Sequence, residues 1–257
     1  MKKVLSAAVL LAAAAAAFGA MGDVVGSFAS PAQYPLALAR ATSDSYLWVF
    51  TQTTPFTIWR IHATTGSVYG SYPTASSTKG LSYQFGGYLY VGDSTSDYIY
   101  RHNSDSIGSI YSSYAANCDM YGGLAVKATG DGGSGATEIW STDTSPATAY
   151  LHNISTGSIT SSFTMSFPLY DPAWDWRNNL LWVGSYSPQY IFGITTAGSV
   201  AASFPSPAEY PWGATYFGSY LWISCTTPVH RIYRIHCPQL NVGIGPTSLG
   251  RVKAIYK

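Results

Sequence analysis

Asp171, Trp174, Asp175 and Trp176 place two carboxylates and two indoles in one short stretch. A carboxylate pair is the equipment of glycoside cleavage, one group protonating the leaving oxygen and the other acting as base or nucleophile. Glu209 adds a third carboxylate for the same kind of acid–base chemistry. Packing is the expected role of the cluster, because Asp175 and Trp176 fall on a stretch read below as an inner strand, where side chains alternate between core and channel.

His62, His102, His152 and His236 form a second set. They recur at about the period of the repeat described below, so they belong to different units around one rim, which favours a turn role over a shared metal. His230 lies in another loop with no acidic neighbour in sequence. The run Thr129-Gly130-Asp131-Gly132-Gly133-Ser134-Gly135 superficially has the look of a calcium loop. Such loops need several oxygen ligands at alternate positions, and here only Asp131 carries charge before Glu138, so a flexible turn is expected. Cys118, Cys225 and Cys237 are odd in number; one bridge plus a free thiol and three unpaired thiols both stay open. No Gly-x-Ser-x-Gly elbow, phosphate loop or dinucleotide glycine run occurs. The expectation is no catalytic residue set, no metal and no cofactor.

What positions these residues is a chain rich in strand and turn formers. Of 257 residues, 10% are charged, well below the roughly 25% of ordinary globular chains, while Tyr numbers 21, Trp 8 and Gly 25. Met1-Lys2-Lys3 followed by an apolar run from Val4 to Phe18 reads as an export signal over residues 1–20, with cleavage near Gly19 and Ala20. The run is short for a bilayer span, and a secreted or periplasmic protein without a transmembrane anchor is expected. Leaving out Lys2 and Lys3, eleven basic residues face twelve acidic ones, a net charge of −1. That balance offers no basic field for nucleic acid.

Four short elements recur five times. The clearest is Gly22-Asp23-Val24-Val25-Gly26-Ser27-Phe28, repeated as Gly66–Tyr72, Gly108–Tyr114, Gly157–Phe163 and Gly198–Phe204. A second runs Tyr46–Phe50, Tyr88–Gly92, Glu138–Ser141, Leu180–Gly184 and Tyr220–Ser224. A third runs Thr57–Ile61, Tyr98–Arg101, Ala149–Leu151, Tyr190–Ile194 and Arg231–Ile235, and a weaker fourth precedes the second, as in Gly80–Tyr83 and Gly213–Tyr216. The pieces are short, β-branched or aromatic, and separated by turn residues, so each unit is four strands. The second element is apolar on both alternating faces, which demands sheets packed against both sides of its own. Five such units make an all-β, five-bladed β-propeller over residues 21–237. The chain starts on the outer-strand pattern and lacks a copy of it after Ile235, so the first strand should complete the last blade and remove the open edge.

These repeats, Leu-Trp-Val then Ile-Tyr-Arg-Ile then Thr-Gly-Ser-Val, resemble those of NHL/YVTN propellers over residues 22–237. The resemblance implies fold more than activity. The five-blade count is also that of plant-type glutamine cyclotransferases, whose acidic active-site motif finds no match here. Residues 238–257 form a tail in which Pro246–Lys253 looks similar to terminal tags of some secreted bacterial β-proteins.

In such a ring the outer-to-inner links and the second-to-third-strand loops share one face, where the channel opens. Gln33, Tyr34, Asp93, Asp97, Asp119, Tyr121, Asp143, Tyr170, Asp171, Glu209, Tyr210 and Trp212 fall there. Aromatic platforms mixed with carboxylates suit a neutral polar ligand. The expected function is a monomeric, non-enzymatic module binding a glycan, a peptide or a partner protein through Tyr34, Asp93, Asp119, Tyr121, Tyr170, Asp171, Glu209, Tyr210 and Trp212. A hydrolase, lyase or cyclotransferase using Asp171, Asp175 or Glu209, and a structural envelope or matrix protein, stand as alternatives.

Overall fold

The computed structural model describes residues 20–41, 45–74, 78–116 and 118–240. The expected leader, apart from Ala20, and the tail from residue 241 lie outside the described residues.

The repeats form five four-stranded antiparallel sheets, the blades of a propeller. Blade 1 runs outward from Pro35–Arg40 through Tyr46–Thr51 and Thr57–His62 to Val68–Pro73. Blade 2 is Thr78–Gln84, Tyr88–Asp93, Tyr98–Asn103 and Ser106–Ala115. Blade 3 is Gly123–Lys127, Glu138–Thr144, Ala147–Asn153 and Ile159–Thr164. Blade 4 is Ala173–Asp175, Leu180–Tyr186, Gln189–Thr195 and Val200–Pro205. Blade 5 takes Pro211–Phe217, Tyr220–Cys225 and Arg231–His236 from the end of the repeats and its outer strand, Val24–Ala29, from their start.

That last pairing closes the ring. Val24 lies opposite Ile235, Phe28 opposite Ile232 and Ala29 opposite Arg231. The inner strand of each blade packs on the next, from blade 1 round through blade 5 and back to blade 1. The second strands are buried on both faces, as their apolar run requires: Leu47, Val49 and Phe50 are inaccessible, and so are Trp140 and Trp182. Burying an indole or phenyl ring removes on the order of 2 kcal/mol of unfavourable hydration per side chain, and the gaps between blades collect these rings. The outer strands are mostly exposed.

Two details differ from the sequence reading. Trp176 lies in the hairpin turn after the three-residue inner strand Ala173–Asp175, so only Asp175 of that pair is on the strand. The four histidines are not equivalent: His62 and His236 pair with Tyr46 and Tyr220, whereas His102 and His152 pair with Leu89 and Ile139, one residue earlier and on the opposite sheet face. Of the two cysteine readings left open, the structure has three unpaired thiols, Cys225 and Cys237 in the core and Cys118 half-buried.

Candidate functional site

The two loop sets do share a face, and backbone hydrogen bonds tie them together. The amide of Gln52 donates to Tyr34 O, that of Thr74 to Phe56 O, that of Ala116 to Asp97 O, that of Met165 to Ala147 O and that of Thr226 to Tyr210 O. Each bond joins an outer-to-inner link to a second-to-third-strand loop or, at Ala147, to the residue that follows one.

At the centre of this face the axis is blocked. Inner strands turn an unpaired edge to the axis, and their amides need acceptors there. The fully buried Asp171 supplies them. Its Oδ2 accepts the amide of Leu38 at 3.0 Å and its Oδ1 that of Leu124 at 3.1 Å. The amides of Leu81 and Ala214 bond the same carboxyl. These four donors occupy one register, opposite Val49, Val91, Ser141 and Ile223 of their second strands. In blade 4 the residue before Ala173 is Pro172, which has no amide to offer. Where Asp171 stands, the other blades have Ala37, Gly80, Gly123 and Gly213. The crowding explains the small residues: a Cβ on Gly80 would lie 2.5 Å from Leu124 N, and one on Gly123 would collide with Asp171 itself. Burial pushes the Asp171 carboxyl well above the usual carboxylate range, and the four amides pull against that shift. Next to it the inner strands enclose about 30 Å³ of room for water centres, enough for about two waters, capped by Gly130, Gly132 and Gly133. The expected open channel is therefore a plugged axis.

Around the plug, aromatic rings run across blades 4 and 5. Trp212 and Tyr170 sit with ring centroids 4.1 Å apart, Tyr170 and Tyr186 5.7 Å apart, and Tyr186 stacks on Tyr210 at 5.8 Å. Burial drives the Tyr170 hydroxyl to a higher pKa, reinforced by the charge of Tyr186 and a hydrogen bond to it. Across the boundary to blade 1, Tyr34 meets His230 edge-on at 5.1 Å. Tyr34 and Tyr210 occupy matching places in the near-duplicate segments 27–35 and 203–211. Both adopt the left-handed backbone region, φ 52° and 50°, a conformation that costs a residue with a Cβ on the order of 1 kcal/mol. Both rings are 42–48% exposed, so burial does not offset that cost.

Solved structures with the same architecture carry little of this sequence. The glutaminyl cyclase of Myxococcus xanthus is similar over 84% of this chain and 95% of its own, with a TM-score of 0.67 and 9% identity. The WD40 repeats of RRP9 are similar over 79% of each chain, with a TM-score of 0.52 and 10% identity. At these identities the likeness shows the fold alone. No family model and no curated protein matches the sequence.

The other residues named from sequence fall elsewhere. Glu209 and Gln33 are exposed beside Tyr210 and Tyr34. Asp93 is buried, and its Oδ1 accepts the amides of Thr95 at 2.8 Å and Ser96 at 3.2 Å, which folds the loop between its strands. Asp97, Asp119 and Asp143 face one another across blades 2 and 3; burial first, then the other two charges, raise the Asp143 carboxyl. Tyr121 is exposed, with Lys79 Nζ 5.9 Å from its ring centre. The structure thus gathers Tyr170, Tyr210 and Trp212, joined by a residue that sequence reasoning missed, Tyr186. Its place at the end of the second strand, two residues before Pro188, was the available signal.

Asp175 and Asp171 are committed to separate networks. Asp175 accepts the amides of Arg177 and Asn178, Asn178 Nδ2 at 2.6 Å and Trp182 Nε1 at 3.1 Å, which ties off the hairpin at the opposite end of the blade. Glu209 is a loop residue on the first face, so the three carboxylates considered for acid–base work do not form one site. The glycine-rich run of blade 3 is also more ordered than a free turn. Asp131 accepts Trp176 Nε1 at 2.8 Å and the Gly218 amide at 3.1 Å and pairs with Arg177 at 3.1 Å, drawing the run across the axis. His62 has the turn role expected, its Nδ1 accepting the amides of Thr64 and Thr65. His152 instead lies inaccessible, 2.7 Å from Ser141 Oγ, with Cys118 Sγ 3.4 Å from the same hydroxyl. Burial lowers the imidazole pKa and pushes the Cys118 thiol up to about 11, the reverse of what an activated nucleophile needs. Among the described residues no cluster of three or more His, Cys, Asp or Glu is arranged to hold a metal ion, and no helix is long and apolar enough to cross a membrane.

Proposed function

We propose that this chain is an exported, non-enzymatic propeller that holds a neutral glycan on its loop face, across Tyr34, Tyr186, Tyr210 and Trp212, with the buried Tyr170 backing them. The observation that carries the reading is the connected run of rings from Trp212 through Tyr170 and Tyr186 to Tyr210. Sugars present C–H faces to aromatic rings and hydroxyls to polar groups at the edges. Glu209, Gln33 and the tyrosine hydroxyls supply such edges without a strong field of either sign. Two exposed tyrosines kept in a backbone conformation that Asn or Gly would adopt more cheaply add support, since strain without burial is the mark of a retained surface role. The leader-like start of the chain supports export, and the scattering of Asp171, Asp175 and Glu209 weighs against the carboxylate enzyme.

The test is a neutral-glycan array probed with the full chain, followed by calorimetry with the best oligosaccharide. Tyr186→Ala and Tyr210→Asn are the informative variants, Asn being chosen because it tolerates the left-handed conformation. A connected aromatic platform predicts that each weakens binding at least about tenfold. Binding only to peptides or proteins, or glycan binding that ignores both substitutions, overturns the assignment.

A further inference from the structure

Four of the five gaps between blades are locked alike. The aromatic residue near the end of one outer strand lies against the glycine that opens the outer-strand motif of the next blade. Phe28 meets Gly66, Tyr114 meets Gly157, Phe163 meets Gly198 and Phe204 meets Gly22; a Cβ on these glycines would come within 2.6, 2.6, 3.0 and 3.0 Å of the ring-bearing side chain. All four glycines have positive φ, between 74° and 92°.

The gap between blades 1 and 2 breaks the pattern. The repeat would set Tyr72 against Gly108, yet a Cβ on Gly108 would meet nothing within 4 Å, and Gly108 lacks the positive φ of its counterparts. The cause is local. The turn from Asn103 to Gly108 is one residue longer than that from His62 to Gly66 or from Asn153 to Gly157. The outer strand therefore starts at Ser106, opposite Asn103, and bulges over Ile107–Ser109 before pairing Ile110 with His102. Beside the bulge a cleft of about 350 Å³ opens between the blades, lined by Ile58, Val91, Tyr100 and Ile107 with Asp93 and His102.

His102 holds the register that His152 holds in blade 3, pairing with Leu89 as His152 pairs with Ile139. His152 has Ser141 as partner, and the matching residue in blade 2 is Val91. Nδ1 of His102 is buried without a partner. Burial lowers the imidazole pKa and keeps the ring neutral, against the pull of the nearby Ile107 and Ser109 carbonyls. A neutral ring whose Nδ1 has no partner can accept a hydrogen bond there from an occupant that brings the donor. Asp93 is a second acceptor on the wall, which argues against an anionic guest.

We propose that the cleft between blades 1 and 2 binds a small neutral aromatic molecule carrying one hydroxyl or ring N–H, a phenol or an indole, with its ring replacing the missing aromatic-on-glycine contact and its donor on His102 Nδ1. The site lies between blades, away from the aromatic run on the loop face, and stands independently of the proposed glycan binding.

The experiment titrates 4-methylphenol and indole into the full chain, read by saturation-transfer NMR and by the rise in unfolding temperature. Saturable binding is expected for the wild type. Gly108→Phe sets a ring on the lining of the cleft, at a position with open space around its Cβ, and binding should be lost. His102→Leu should weaken 4-methylphenol about tenfold, the worth of one buried hydrogen bond, while leaving toluene unaffected. Tyr210→Asn should change nothing. No saturable binding by the wild type, unchanged binding to Gly108→Phe, or equal loss of toluene and 4-methylphenol in His102→Leu overturns the proposal; the last comparison decides it even if Gly108→Phe fails to fold.

Discussion

Asp171 Oδ2 accepts the amide of Leu38 at 3.0 Å across 133 residues of chain and across the propeller axis. Together with Leu81, Leu124 and Ala214, that bond turns the free edges of four inner strands into one shared network. Asp171→Asn keeps the side chain's shape and sets an NH₂ group against amide donors. It should cost about 2–4 kcal/mol, the range for leaving buried donors unmet. Urea unfolding followed by tryptophan fluorescence measures this, and an unchanged midpoint would show that the axis network adds no stability.

Ring closure supplies a second prediction. Phe28 is buried on the strand that fastens blade 5 and packs on Gly66 of blade 1, among Ile61, Trp222 and Ile232. Phe28→Ala removes a ring from that junction and should destabilise by about 3–5 kcal/mol. Tyr72 occupies the equivalent position at the unlocked gap, touches Trp48 at 5.8 Å and is partly exposed. Tyr72→Ala should therefore cost clearly less. Equal losses in the two variants would mean that the glycine contact does not contribute to holding the blades together.

The architecture was legible because its cause is periodic. Leu47-Trp48-Val49-Phe50 and its copies are apolar on both faces, and the absence of an outer-strand motif after Ile235 announced the closure by Val24–Ala29. Single-residue departures were harder. His62 ends its third strand whereas His102 is the last residue but one of its own, and that one residue of register puts them on opposite faces of their sheets. Asp171 looked like a loop acid because its partners are backbone amides from four other blades, and amides leave no mark in sequence. The trace that was available is an acid before Pro172 where the other repeats have Ala or Gly. The glycine-rich run 129–135 was read as free because Trp176 and Gly218, its anchors, belong to other blades.

Acid should weaken the fold through two histidines. Burial lowers the pKa of His102 and His152 below the ordinary value of 6.5. The unfolded chain takes up protons near that value and the folded chain does not, so the stability from keeping these rings neutral is complete above it and is lost as pH falls below it. Each ring can contribute up to about 1.4 kcal/mol per pH unit over that interval. Unfolding temperature measured from pH 7.5 down to pH 5 should fall, and His152→Gln, which keeps a partner for Ser141, should flatten the slope. A steeper slope in the variant would contradict the assignment.

Asp131 is the point at which blade 3 reaches across the axis. Its carboxylate receives Trp176 Nε1, the Gly218 amide and the Arg177 guanidinium, from the hairpins of blades 4 and 5. Asp131→Ala leaves those three donors facing the emptied position and frees the glycine-rich run, whose Gly132, Gly133 and Gly135 already hold positive φ without help from side chains. The global cost should be modest, about 2 kcal/mol, because the site is partly open to water. The local effect should be larger. A run with several glycines and few buried contacts becomes the easiest place to open once its anchor is gone. Limited proteolysis should therefore cut the variant between Thr129 and Ala136 under conditions that leave the wild type intact there. Cleavage of the two proteins at the same sites and rates would show that Asp131 does not hold the run in place.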